Sequence, residues 1–222
     1  MHPVLRLYED TLSDGARVAL PALARMIFIV YGAATIDGEA CGAAWHGEGA
    51  AVLASGREGV TCWRWEFAEA SDGRVNGAAT GSGVASREKI SARLENLPAD
   101  ELLLRGDSVA FPPGGCAYLH RHQGPGIRCL IEGGIRIDTH GRSTSYGPGG
   151  AWFESGPEPV FAQGAADRTT RFIRVMILPR ALIGKSSIQY VNDEDRAKPK
   201  SQRYEVFVDA PIARNGSAPG AA

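Results

Sequence analysis

Residues Gly114–Gly133 read GGCAYLHRHQGPGIRCLIEG. His120 and His122 stand near the centre, one residue apart. In an extended strand, residues i and i+2 project to the same face. Two imidazoles so spaced can share one ion, and imidazole is a good ligand for divalent transition metals. Alone the pair is a weak signal, because histidines on strands commonly face water. The spacing around it is more informative. Five residues separate Gly114 from His120, three separate His122 from Gly126, and six separate Gly126 from Gly133. Gln123–Gly126 (Gln-Gly-Pro-Gly) has turn composition, and Ile127–Ile131 beyond it is a strand-like run.

The rest of the chain is written in the same style. Met26–Tyr31, Gly59–Phe67 and Arg171–Leu178 are rich in β-branched and aromatic residues and are separated by Gly, Pro, Asn and Asp. With 28 Gly and 13 Pro in 222 residues, tight turns between short strands are expected. One helix is predicted from Ser86 to about Leu97, from the N-cap residue Ser86 and an acid in the first turn, ending before Pro98. Ala68–Ala85 reads as a flexible linker.

An internal repeat organises these runs. Ile29–Gly38 (IVYGAATIDG) resembles Leu130–Gly141 (LIEGGIRIDTHG). A Trp-centred block follows each, Ala43–Gly56 and Gly150–Gly164, and then a strand-like run. Two copies of one β unit are expected. The copy before the linker has Val18–Ala22 in place of the histidine pair, so it is read as a structural or dimer-forming barrel.

Charge and length exclude some partners. The 24 Lys+Arg against 25 Asp+Glu leave a net charge of −1, with no basic stripe for nucleic acid. No apolar run is long enough for a membrane helix. The N-terminus carries acids where a signal peptide would be apolar. Cys41, Cys62, Cys116 and Cys129 form no CxxC pair, and they are read as reduced in a cytoplasmic protein.

The spacing Gly114-x5-His120-x-His122-x3-Gly126-x6-Gly133 resembles the first motif of the cupin superfamily. Gly149 stands where the second cupin motif begins. The resemblance is close over Phe111–Gly164, and the repeat extends it to a bicupin. It implies an all-β fold of two tandem cupin (jelly-roll) barrels, with the predicted helix in the connection. The implied organisation is a degenerate N-terminal barrel at 1–67, linker and helix at 68–98, a C-terminal cupin barrel at 99–180, and strands at 181–212. A disordered tail follows at 213–222. The strands at 181–212 are Ser186–Tyr190 and Tyr204–Val208, which can cap an edge of this chain or of a partner. A homodimer is expected.

The resemblance also implies a metal site, with departures. Gly126 occupies the first motif's Glu ligand position. Counted from Gly149, Ser155, Pro157, Val160 and Gly164 occupy the second motif's conserved positions, and its His is absent. A site with two protein ligands would be weak. Glu154, at an inward position beside Trp152, can complete a set with His120 and His122, or can instead bond an internal Arg or backbone groups. Arg128 is read as Glu154's partner, as an anchor for a substrate carboxylate, or as facing water. Tyr118 is expected on the inward face, donating to substrate or packing at the mouth. Gln123, His140 and His46 are not counted as ligands: Gln123 is in a turn, His140 at a hairpin tip, and His46 aligns with the outward Phe153.

The function implied is a metal-dependent cupin enzyme holding Fe(II) or Mn(II), with Ni, Cu or Zn as alternatives. It would act on a small polar or carboxylated molecule, with dioxygenase chemistry first and lyase or isomerase chemistry behind it. Tyr118, Arg128 and Glu154 are the catalytic candidates. The other reading is a non-catalytic cupin that binds a small ligand.

Overall fold

The computed structural model describes residues 3–68, 77–95, 97 and 101–213. The chain forms two compact units, one up to Arg93 and one over Leu94–Ala213. Both are built from antiparallel strands, and the fold is all-β. Residues 69–76 of the predicted linker and the predicted tail from Arg214 onward lie outside the described residues.

The first unit contains β1 (Val4–Leu12), β2 (Arg17–Leu20), β3 (Ala24–Ile36), β4 (Glu39–Ala40), β5 (Ala44–Gly47), β6 (Ala51–Ala68) and β7 (Val84–Arg93). They form one sheet in the order β4-β3-β6-β1-β7, with β2 on β6 and β5 on β3. Leu12, Val18, Leu20, Ile27, Leu53 and Val60 belong to its apolar core.

The helix predicted over Ser86–Leu97 is overturned. Most of this segment lies in β7, which pairs along the whole of β1. The N-cap signal is a local preference worth about 1 kcal/mol, and it loses to a ladder of backbone hydrogen bonds. The side chains that suggested a helix bond across strands instead. The Ser86 hydroxyl donates to the Asp10 carboxylate. Arg87 and Lys89 bond Glu9 at 2.9 and 3.2 Å, and Tyr8 donates to Glu88 at 3.2 Å. The one α-helix among the described residues, α1 (Asp193–Ala197), lies far downstream.

The second unit contains β8 (Leu102–Phe111), β9 (Cys116–His122), β10 (Gly126–Glu132), β11 (Ile135–Thr139), β12 (Arg142–Tyr146), β13 (Ala151–Glu154), β14 (Val160–Gly164), β15 (Thr170–Pro179), β16 (Ile188–Tyr190) and β17 (Arg203–Ile212). Two five-stranded sheets result, β13-β10-β15-β8-β17 and β12-β11-β14-β9-β16. One apolar core draws Val109, Phe111, Trp152 and Phe172 from the first sheet and Ile135, Ile137, Val160 and Ala162 from the second. The sheets therefore pack face to face. The late strands β16 and β17 pair with β9 and β8 of this same unit.

The backbone repeats as the sequence does. Gly32 and Gly133, at matching places in the repeat, have φ of +77° and +80°. At each, a Cβ would collide with a backbone carbonyl opposite, that of Gly59 in β6 or of Thr169 just before β15. Asp37-Gly38 and His140-Gly141 both turn with positive φ, as two-residue hairpin turns require. The four cysteines form no disulfide. Among the described residues no helix is long and apolar enough to cross a membrane.

Gly133→Ala puts a methyl group where the Thr169 carbonyl lies and forces a φ that Ala disfavours. It is expected to destabilise the chain by at least about 2 kcal/mol, measured as a lowered midpoint in urea.

Candidate metal centre

β9 presents the histidines through an irregularity. His120 pairs with Val160, but Ala117 pairs with Ala162. Three positions on β9 thus span two on β14, which places an extra residue between Ala117 and His120. Such a bulge reverses the inside–outside alternation on one side of it. Ala117, His120 and His122 all line one small cavity between the sheets, together with Arg128, Trp152 and Glu154. Tyr118 does not line it. The expectation that Tyr118 shares the inward face of His120 fails because the bulge lies between them. The Tyr118 ring instead lies under the Lys198 and Lys200 ammonium groups at 5.2 and 5.4 Å.

The two imidazoles converge. His120 and His122 are 4 % and 5 % exposed, and their Nε2 atoms are 3.2 Å apart. His120 Nδ1 lies 2.7 Å from the Tyr118 carbonyl oxygen. A carbonyl only accepts, so Nδ1 carries the proton and Nε2 keeps its lone pair. His122 Nδ1 lies 3.4 Å from the Ser187 hydroxyl, which can donate or accept and so permits either tautomer of His122. Burial holds both imidazoles below the usual histidine range, His122 well below it. For His122, the charges of Arg128, His120 and Arg174 push the same way. Both rings are neutral at pH 7.

Glu154 and Trp152 both point inward from β13, as expected. Trp152 Nε1 donates to Glu154 Oε1 at 2.8 Å. Glu154 Oε2 stands 2.7 Å from Arg128 Nη2 and 3.5 Å from His122 Nε2. Arg128 is 1 % exposed, so the reading that turned it to water is corrected. Burial lowers its pKa to about 10, and it remains charged at pH 7. Its Nη1 donates to the Gly126 carbonyl at 2.6 Å. A Cβ at Gly126 would come within 2.5 Å of the Val175 carbonyl oxygen, 2.7 Å of Met176 Cγ and 3.0 Å of Arg128 Nη1. The guanidinium thus occupies the space beside the position where the motif has its Glu. Val160, at the second motif's His position, is a buried core residue directly across from His120.

Donors held at about 2.0–2.1 Å from one ion stand about 3.0–3.4 Å apart, so the 3.2 Å between the two Nε2 atoms suits a divalent ion, while the 3.5 Å from His122 to Glu154 is slightly too wide. Neutral imidazoles and a carboxylate are also the right chemistry for one. As the side chains stand, however, no group of three or more His, Cys, Asp or Glu among the described residues is arranged to hold a metal. The reason is local: Arg128 and Trp152 already hold the Glu154 carboxylate. The imidazole pair fits an ion, and Glu154 fits it only as a ligand shared with Arg128.

Sequence reasoning missed four neighbours. Arg174 lines the cavity from β15 and is clamped by Asp107 of β8 through bonds of 2.6 and 2.9 Å. Ser187 stands behind His122. Gln202 and Tyr204 come from the chain around the start of β17. The β-branched and aromatic composition of β15 and β17 signals strands, but it does not tell which polar side chain turns inward. Gln123 and His140 do not line the cavity; His140 sits at the β11–β12 turn. His46 lies in the first unit on β5, opposite Met26.

The inner cavity is small, about 20 Å3, room for one water or one ion. Beside it lies an outer cavity of about 510 Å3. Arg174, Ile188 and Tyr204 line both.

No protein-family profile matches the sequence, and no curated protein matches it significantly. Solved structures do match. Two variants of oxalate decarboxylase from Bacillus subtilis superpose with a TM-score of 0.60, at 13 % and 12 % identity. Each alignment covers 87 % of this chain and 73 % of that one. A further structure, from work on the Mn(II) centres of the same enzyme, matches with a TM-score of 0.60 at 13 % identity. This likeness establishes the fold: a cupin-like jelly roll.

Two outcomes follow from the centre. Removing one partner of a buried ion pair leaves the other uncompensated. Arg128→Met is therefore expected to cost about 3–5 kcal/mol, and Arg128→Met with Glu154→Leu to cost less than Arg128→Met alone, as read by denaturant unfolding. The second outcome concerns pH. Folding lowers both histidine pKa values, so below about 6.5 the unfolded chain binds more protons than the folded one. Stability of the metal-free chain is expected to fall as pH drops from 7 towards 5, by up to about 1.4 kcal/mol per pH unit for each ring. The titratable and charged groups around the rings are Glu154, Arg128, Arg174, Tyr190 and Tyr204, with the Ser187 hydroxyl beside His122. His122→Asn should make the slope shallower in thermal unfolding across that range.

Proposed function

We propose that the second unit is a metal-dependent enzyme acting on a small carboxylated molecule. The observation that carries this reading is the pair of buried, neutral imidazoles with Nε2 atoms 3.2 Å apart and a carboxylate oxygen 3.5 Å from one of them. His120, His122 and Glu154 would hold the ion, Fe(II) or Mn(II) first, with Ni, Cu and Zn as alternatives. When bound, a divalent ion supplies Lewis acidity and, if it is redox-active, a place for oxygen.

The chain's own residues set the conditions. The Tyr118 carbonyl fixes the His120 tautomer, and Ser187 supports His122. Arg128 and Trp152 orient the Glu154 carboxylate, and Arg128 puts a buried positive charge where a substrate carboxylate can be drawn. Val109, Phe111, Ile137 and Phe172 line the same cavity and exclude water. Oxygen chemistry of the dioxygenase type is the reaction we favour, with lyase or isomerase chemistry second. That the fold-level neighbours are oxalate decarboxylase, one studied for its Mn(II) centres, supports a metal and a small carboxylate by analogy of fold. The same reading takes the chain as a homodimer. The exposed Tyr204 and Val206 on edge strand β17 are the surface a second copy would cover.

One observation favours the other reading, a non-catalytic cupin that binds a small ligand. The 2.7 Å contact between Arg128 and Glu154 lets the guanidinium serve as the cavity's resident cation. Metal analysis decides between them. After loading with Mn(II) or Fe(II) and dialysis, the native chain is expected to retain close to one ion, and His120→Ala to lose it. A native chain that stays metal-free and unfolds at the same temperature with or without the ion would establish the non-catalytic reading.

A further inference from the structure

The outer cavity owes most of its wall to chain that follows the repeat. Ser186, Tyr190 and Lys200 border it from the segment between β15 and β17, and Tyr204 from β17 itself. Its volume of about 510 Å3 lies within the range of about 300–1,000 Å3 usual for organic ligands. The inner cavity, by contrast, has room for one water or one ion only.

The charges around the outer cavity do not cancel. Four cationic side chains, Arg105, Arg174, Lys185 and Lys200, face two carboxylates, Asp107 and Asp209. Arg105 is fully engaged: it bonds Asp209 at 2.8 and 3.1 Å and the Lys185 and Leu182 carbonyls at 2.7 and 2.6 Å. Arg174 is not. Its Nε and Nη2 bond Asp107 at 2.6 and 2.9 Å, and its Nη1 makes no hydrogen bond with the described residues. Arg174 is 6 % exposed and belongs to the wall shared by the two cavities. Lys185 and Lys200 form no ion pair among the described residues, so two positive charges are left over. Water can meet Nη1 in an empty cavity. An anion meets it better, because the bond is then charge-assisted and the surplus around it is positive.

Aromatic rings accompany these cations. The Arg174 guanidinium lies 5.7 Å from the centre of the Tyr204 ring, and Lys200 Nζ lies 4.3 Å from that of Tyr190. Ile188 adds branched apolar surface to the same wall. A carboxylate carried directly on a flat ring matches both features at once, its charge on the guanidinium and its ring against the tyrosines. A two-carbon acid has the charge but leaves the apolar wall uncovered.

We propose that the outer cavity binds a small aromatic carboxylate, with Arg174 Nη1 anchoring the carboxylate and Tyr190 and Tyr204 against the ring. This rests on the reading that the second unit takes a small carboxylated molecule, and it narrows that class. It places nothing larger than an ion in the inner cavity.

The test is calorimetric titration of the native chain, metal-free and Mn(II)-loaded, with benzoate, benzamide, acetate and cyclohexanecarboxylate. Sedimentation fixes the oligomeric state at the concentration used, since Tyr204 also belongs to the surface offered to a second copy. The metal-free chain is expected to bind benzoate at least tenfold tighter than benzamide, which lacks the charge, and than acetate, which lacks the ring. Cyclohexanecarboxylate, equal in charge but not flat, should bind at least threefold more weakly than benzoate. Arg174→Lys keeps a charge for Asp107 but loses the fork. It should lower benzoate affinity at least tenfold and leave that for benzamide unchanged. A native chain without these preferences, or an Arg174→Lys chain that keeps native benzoate affinity, would overturn the proposal. Should Arg174→Lys not fold, the exposed pair Lys185→Gln and Lys200→Gln takes its place. Together they are expected to weaken benzoate at least fivefold, and unchanged affinity there overturns the proposal as well. The two readings fail separately. Benzoate bound by a chain that holds no Mn(II) sinks the metal and leaves this inference standing. Retained Mn(II) with no preference for benzoate does the reverse.

Discussion

Two opposite charges enclosed between sheets set the terms for the second unit. Arg128 and Glu154 are both nearly inaccessible, and neither is tolerable alone in that setting. The carboxylate is gripped from two sides, by a guanidinium and an indole. The guanidinium in turn fills the space next to Gly126. The identity of residue 126 and the orientation of Glu154 therefore form one arrangement. Any cation entering between His120 and His122 has to share the carboxylate with a charge already present, which weakens its hold and places positive charge next to an incoming anion.

Much of this arrangement was legible in the sequence. The HxH pair follows from strand periodicity, the inward placing of Trp152, Glu154 and Arg128 follows from the same alternation once the cupin resemblance says which face is inward, and the structure brings these residues together. What periodicity could not carry was any irregularity in the ladder. Tyr118 was misplaced because one extra residue on β9 changes the parity of everything before it. Ser86 misled for the opposite reason: its capping chemistry is real, but its hydroxyl finds Asp10 on the adjacent strand. Ser187, behind His122, and Gln202, on the cavity wall, were illegible because they come from segments outside the repeat, where no spacing rule applies.

The first unit shows what the repeat becomes without imidazoles. Its interior also buries charge: Arg64 contacts Asp10 and Glu66 at 2.6 Å each, and Arg25 contacts Glu66 at 3.3 Å. Two positive and two negative groups cancel there. Such a cluster is worth little as stabilisation against an apolar core of equal volume, but each member is costly to lose. The two units thus meet the same problem, polar groups buried in a β-structure, with a closed quartet in one and an open centre beside a cavity in the other.

The extra residue between Ala117 and His120 also bears on how such a chain changes over generations. Removing either Tyr118 or Leu119 would leave Ala117 two positions before His120, and regular pleating would keep both on the interior face. The strand can therefore lose a residue at this point without any change in which side chains wall the chamber. What such a loss would alter is the outer surface, where the Tyr118 ring meets Lys198 and Lys200.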